Sequence, residues 1–437
     1  MRLIRLLKND LAREVEGWVD DKIISHDQAV KICAGYGLDF DNLSQKSYGY
    51  FVLIGMGYLF LGLSILTLVG GNWEDIPRAV RMGGLIGLTL LTHLGAVYRY
   101  QQGKDAAAIT LFFLGSIFYG ASIMLIAQIY HLGEHYPDGI LWWAIGILPL
   151  AVLLRSLLLT LLMMVLAFTW FFTETMLGFY PLLFPLFLLA LGYVLWAGNK
   201  SLLLFLALVA GVGLWLEYNL SWLMSVELGF QHGGENVVFA FGFFILLHGL
   251  TKWLSVQSSH TLADYGAVLS LWVLRFTLLT LLIFSFEDMW DELVRADWEY
   301  PAATILLHLG MCAIGVLLAW RSGKSVMSVS IASVATVALV IVLATIHSTN
   351  YAELLQVLDN IALIVTGVWL IIRGIQQGIS QYFYAGVVTI MLTGFLRYID
   401  LIGNYIGAAV LFIVFALILL SAAKYWRMHD KKQEAMV

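Results

Sequence analysis

Charge is scarce in this chain. Asp, Glu, Lys and Arg make up only 12% of its 437 residues, where soluble domains carry about 25%. That excludes an ordinary water-soluble globule, which could not hide the matching 61% of apolar residues. Cysteine is scarcer still. Cys33 and Cys312 lie far apart with no C-x-x-C, so no disulfide framework exists. The net charge of −5 is too mild for a polyanionic partner, and nucleic acid is not expected. No glycine-rich phosphate loop, nucleotide motif or nucleophilic serine elbow is present, so the reading is not an enzyme and implies no cofactor. Strict apolar alternation over about ten residues is also missing, which argues against a membrane β-barrel.

What the chain has is long, unbroken apolar runs. Runs of about twenty residues suit membrane-crossing helices, and in lipid only helices or closed barrels satisfy the backbone. The expected class is all-α and polytopic, with about 14 spans. They lie near 48–70, 80–99, 106–128, 139–154, 156–173, 178–197, 201–217, 235–254, 263–285, 300–320, 325–346, 353–373, 378–397 and 404–424. The first 46 residues are too polar and too long for a signal peptide. The run Tyr48–Val69 is too long for a cleaved segment and reads as the first span.

Residues 1–46 read as a cytoplasmic helical hairpin. Leu3, Leu6, Leu7, Leu11, Val15 and Trp18 recur at helical spacing. Ser25 and Gln28 then form a capping box that starts a second helix, which stops near Gly35-Tyr36-Gly37. The polytopic membrane domain follows over 47–426, with a cytoplasmic tail at 427–437.

The 24 Lys and Arg test this map. With the N-terminus inside, all fall inside except Arg78, Arg81, Arg295 and Arg397 outside and Arg275 within a span. The positive-inside rule therefore places both termini in the cytoplasm of a multi-pass bacterial inner-membrane protein surrounded by membrane lipids. Outside, Phe286 to Trp298 reads as an amphipathic helix. Its apolar face is Phe286, Met289, Trp290, Leu293 and Val294, and acids occupy the other side. It is a solvated face, a cation-collecting surface or a docking surface for an extracytoplasmic or membrane protein partner. No internal repeat is evident.

His131-Leu132-Gly133-Glu134-His135 matches H-x-x-E-H, a zinc-peptidase ligand pattern. Histidines four apart share a helical face, and Glu174, Glu217 and His232 are on the same side for a third ligand. Gly133 and Pro137 oppose a continuous helix there, so His131, Glu134 and His135 stand as metal candidates against a polar helix end. In that second reading His131 contributes to an outer polar cluster and His135 does little.

The same stretch carries a resemblance. "GNWEDIPRAVR" (71–81), "AQIYHLGEHYPDGILWWAIGILPLA" (127–151) and "FLRYIDL" (395–401) resemble the predicted membrane proteins of domain of unknown function 2157. So does the N-terminal pattern of a Trp-containing helix, "KIIS" and "DQAVKI". The resemblance is strongest over the first 150 residues. In its pattern Ala127-Gln128, Tyr130-His131, Pro137-Asp138-Gly139 and a Trp recur, whereas a second histidine at 135 does not. It implies a multispanning inner-membrane protein and supplies no reaction.

Ionisable groups within spans are costly and mark candidate sites. Arg275 sits about twelve residues from either end of its span, roughly 18 Å of helix on each side, and is read as pairing with Asp359, next to Asn360. Arg397 and Asp400, three apart, share a helical face. Gln128, Tyr130 and His131 complete an outer polar cluster with them. His93 and His308 read as hydrogen-bonded core. The function expected is a transporter or flippase-like protein with a polar site between helices. The alternatives are a non-transporting scaffold or sensor that docks a partner, and a metal-dependent membrane hydrolase using the HLGEH stretch.

Overall fold

The computed structural model describes residues 8–35, 77–130, 135–198, 200–224, 233–323, 326–345 and 351–400, together with a few isolated positions between 40 and 67 and at 413. Most of the expected span 48–70, nearly all of 404–424, the tail 427–437, His131, Glu134, His232 and the side chain of Asp400 lie outside them. The described residues contain helices and no strand.

The chain divides into two compact units. The first, residues 1–231 with 257–267, begins with the hairpin of α1 (Lys8–Asp20) and α2 (His26–Gly35). Its capping box forms as the sequence dictates. Gln28 Oε1 accepts from the Ser25 amide at 2.8 Å, and the Gln28 amide donates to Ser25 Oγ at 3.3 Å. Val15, Ala29 and Cys33 close a small core beneath it.

Six further helices follow: α3 (Arg78–Gln101), α4 (Asp105–Tyr130), α5 (Pro137–Leu154), α6 (Leu157–Met176), α7 (Phe184–Ala197) and α8 (Leu202–Met224). Each packs on its neighbour in sequence, as short connections require, except across the α2–α3 gap. Between α4 and α5, the Trp143 ring lies flat where a side chain at Gly120 would stand, and its Nε1 donates to the Ser116 carbonyl at 2.8 Å. Phe171, Phe184, Phe187 and Tyr218 fill the centre of α6, α7 and α8.

The second unit, residues 232–256 with 268–437, holds α9 (Gly234–Leu254), the greater part of α10 (His260–Ile283), α11 (Glu287–Arg295), α12 (Pro301–Arg321), α13 (Met327–Thr345), α14 (Ala352–Gln377) and α15 (Ser380–Asp400). Two pairs, α9 with α12 and α14 with α15, approach backbone to backbone. A methyl group on Gly249 would lie 2.1 Å from the Gly315 carbonyl oxygen, and one on Gly386 would lie 2.5 Å from that of Gly367. Small residues permit such contact in lipid, where helices associate through packing.

Ten of the described helices are long and apolar enough to cross a membrane. All twelve expected spans between 80 and 397 appear as helices, and the expected spans 48–70 and 404–424 lie almost wholly outside the described residues. The helix α7 has only 14 residues, because Pro181 and Pro185 confine its start to Phe184, where 178–197 was expected.

Candidate functional site

The polar groups of the second unit gather where α10 ends. The chain leaves that helix at Ile283 and re-enters one at Glu287, so the carbonyls near the break have no helical partner. Two amides on α14, one turn apart, supply donors. Gln356 Nε2 and Asn360 Nδ2 donate to the Ser285 carbonyl at 3.1 and 3.2 Å, and Asn360 Nδ2 also donates to the Gln356 carbonyl at 2.8 Å. Trp290 Nε1 donates to the Phe284 carbonyl. The helix α11 packs its Trp290, Leu293 and Val294 face against Ala352 and Leu355 at the head of α14. The amphipathic face read in the sequence is therefore spent on α14, while Glu287, Asp288 and Glu292 remain exposed.

Asp359 lies within this cluster and is 6% exposed. Among the described residues, its Oδ2 and the neighbouring Asn360 Oδ1 are buried acceptors with no hydrogen-bond partner. Burying an oxygen without a donor costs about 1–3 kcal/mol, and more when it is charged, so the two oxygens suit a cation or a donor group. The cation within electrostatic reach of Asp359 is Arg397, whose guanidinium lies 5.2 Å from the centre of the Phe286 ring.

Arg275 is not the partner of Asp359, contrary to the sequence expectation. It is exposed, with its guanidinium 5.2 Å from the Trp272 ring centre. Depth along the helix matched, but α10 turns Arg275 outward with Trp272 and Phe276. Of the expected candidates, the structure brings together Asp359, Asn360 and Arg397. Ser285 and Gln356 join them unforeseen; only the helix break before "FEDMW" signalled that a bare carbonyl would need donors.

Gln128 and Tyr130 end α4 in the first unit, both exposed, with Tyr130 Oη 3.5 Å from Met82 Sδ. His135 corrects the second expectation. Its Nε2 lies 2.7 Å from Glu174 Oε2, and its ring meets Phe179 edge-on at 4.6 Å. Beside it Tyr180 Oη donates to Asn219 Oδ1, and burial pushes the Tyr180 phenol up from its ordinary value. Among the described residues no group of three His, Cys, Asp or Glu is placed to hold a metal. His308 is the buried core histidine expected, contacting the Val238 carbonyl and Thr336 Oγ1 at 3.1 Å each. His93 contacts the Thr89 carbonyl at 2.9 Å.

No curated protein and no solved structure matches the chain. The first unit carries a family signature that stops short of the Asp359 cluster: residues 16–160 match the family model described as predicted membrane protein (DUF2157).

Proposed function

We propose that the chain is a carrier of the bacterial inner membrane, with both termini in the cytoplasm, and that Asp359 is its coupling group. The observation that carries this reading is a pair of buried acceptors, Asp359 Oδ2 and Asn360 Oδ1, that have no hydrogen-bond partner among the described residues and sit on a helix long and apolar enough to cross a membrane. Ionisable groups at such depth mark ion and solute pathways. The acceptors suit a proton, a monovalent cation or a protonated amine, and Arg397 beside them suits a counter-charge. The exposed acids of α11, on the same side in this topology, would concentrate cations at the entrance. The same acids support a second reading, a scaffold that docks a basic partner on α11.

The test is charge movement in proteoliposomes on a solid-supported membrane, after jumps of pH, sodium, potassium or small primary amines. The expected result is a transient current for at least one jump, lost in Asp359→Asn while that variant still folds and reconstitutes. Silence of the wild type in every jump, with the protein folded, would leave the scaffold reading.

A further inference from the structure

We infer that the first unit holds a phospholipid in the groove between α7 and α8, with the acyl chain along the groove and the phosphate at Arg155. The groove has a volume of about 600 Å³, within the range of about 300–1,000 Å³ typical of ligand sites. One stripe of α7 forms its first wall, including Leu189, Gly192, Tyr193 and Trp196, and Leu208 and Val212 of α8 form the second. Its walls are almost wholly apolar, so in a bilayer it fills with hydrocarbon rather than water. Leu189 and Trp196 are 72% and 81% exposed, and a side chain added at Gly192 would meet nothing within 4 Å.

Charge at one end selects the occupant. Arg155 follows α5 in a left-handed turn with φ of 48°, which aims its side chain at the end of α7. Its Nη1 donates to the Ala197 carbonyl at 3.1 Å, its Nη2 reaches Tyr193 Oη at 3.5 Å, and its guanidinium lies over the Tyr193 ring. A guanidinium has five N–H donors, so others remain for a ligand. Among the described residues no carboxylate pairs with Arg155, and Lys200 is exposed on the short connection to α8. Tyr193 and Trp196 are the aromatic types that settle at the headgroup level.

The length of α7 brings the headgroup to that depth. Fourteen residues span roughly 21 Å, against a hydrocarbon thickness of about 30 Å. A short helix thins the bilayer beside it, which lowers a phosphate toward Arg155. An anionic phospholipid thus finds an apolar seat, an aromatic shoulder and a guanidinium in sequence along one groove. This site is independent of the Asp359 cluster.

The experiment uses the full chain in detergent with phosphatidylglycerol or phosphatidylcholine of identical acyl chains. Binding is read by native mass spectrometry and by the shift in melting temperature. Phosphatidylglycerol is expected to stay bound and to raise the melting temperature by several degrees more than phosphatidylcholine. Gly192→Trp, which fills the groove, should abolish both effects while the apo protein melts normally. Val212→Trp fills it from the opposite wall and should do the same. Arg155→Gln should bind the two lipids equally, and Arg155→Lys should restore much of the preference. Unchanged phosphatidylglycerol binding in both tryptophan variants would overturn the proposal, as would equal binding of the two lipids by the wild type.

Discussion

His135 and Glu174 meet at 2.7 Å across 39 residues of sequence, tying the start of α5 to the end of α6. The two helices also pack along their lengths, so the pair pins one end of an antiparallel couple. Glu174 is buried. His135→Ala would strand its carboxylate, at about 1–3 kcal/mol or more. We expect His135→Ala and Glu174→Ala each to lower the melting temperature in detergent, with the double variant losing less than the sum. Glu174→Gln keeps an acceptor for the imidazole and should be the mildest. Strictly additive losses would separate the two residues, and a stoichiometric metal lost with His135→Ala would make them ligands instead.

The contact of α9 with α12 predicts a sharp contrast between glycines. Gly249→Ala drives a methyl group to 2.1 Å from the Gly315 carbonyl oxygen, where only backbone can yield. Its cost should exceed the about 1–3 kcal/mol of ordinary overpacking. Gly310→Ala, on α12 with nothing within 4 Å, should be neutral. Thermal unfolding of both variants in one detergent checks this. Equal stability would mean that α9 and α12 do not touch at Gly315.

The thiols offer a check on the hairpin and on topology together. Cys33 and Cys312 are buried, so maleimide should label neither until the protein is denatured. Burial pushes the Cys33 thiol up from its ordinary value. A thiol raised in the folded state holds its proton while the unfolded chain begins to release it, so stability is intact below the unfolded value of about 8.5. It declines as pH rises through that value toward the folded one. Protease resistance of the hairpin should therefore fall from pH 8 to alkaline pH, and Cys33→Ala should flatten the profile. Against this silent background, single cysteines at Asp291 and Lys200 should label from opposite membrane faces. Labelling from the same face would refute the proposed topology.

Some of this was legible in the sequence because local chemistry fixes it. Ser25 and Gln28 are three residues apart, and a capping box needs nothing else. Asp359, Asn360 and Arg397 stood out as polar groups in apolar runs. Their partners did not, since a sequence gives depth along a helix but not which way each helix faces. Arg275 and Asp359 are compatible in depth and differ in direction. The groove beside α7 was equally hidden. It depends on Pro181 and Pro185 shortening a helix that hydropathy extends to 178, and on Arg155 turning back through a left-handed residue.

The charge at Asp359 gives the most discriminating prediction. Its cation is Arg397 on α15, and α14 and α15 are locked together by the Gly367 and Gly386 contact. Removing one member of a contacting buried pair typically costs about 3–5 kcal/mol, and two charges that act on each other only through space should cost less. Asp359→Asn and Arg397→Gln should each lower the melting temperature, and the double variant should recover part of the loss. Asp359→Asn combined with Arg275→Gln should show no recovery, because Arg275 faces outward beside Trp272. Distant sites add to within about 0.3–0.5 kcal/mol, so the two cycles are separable by thermal unfolding in one detergent. Coupling in the Arg275 cycle and additivity in the Arg397 cycle would reverse the assignment. Coupling in neither would leave Asp359 wholly available to its ligand.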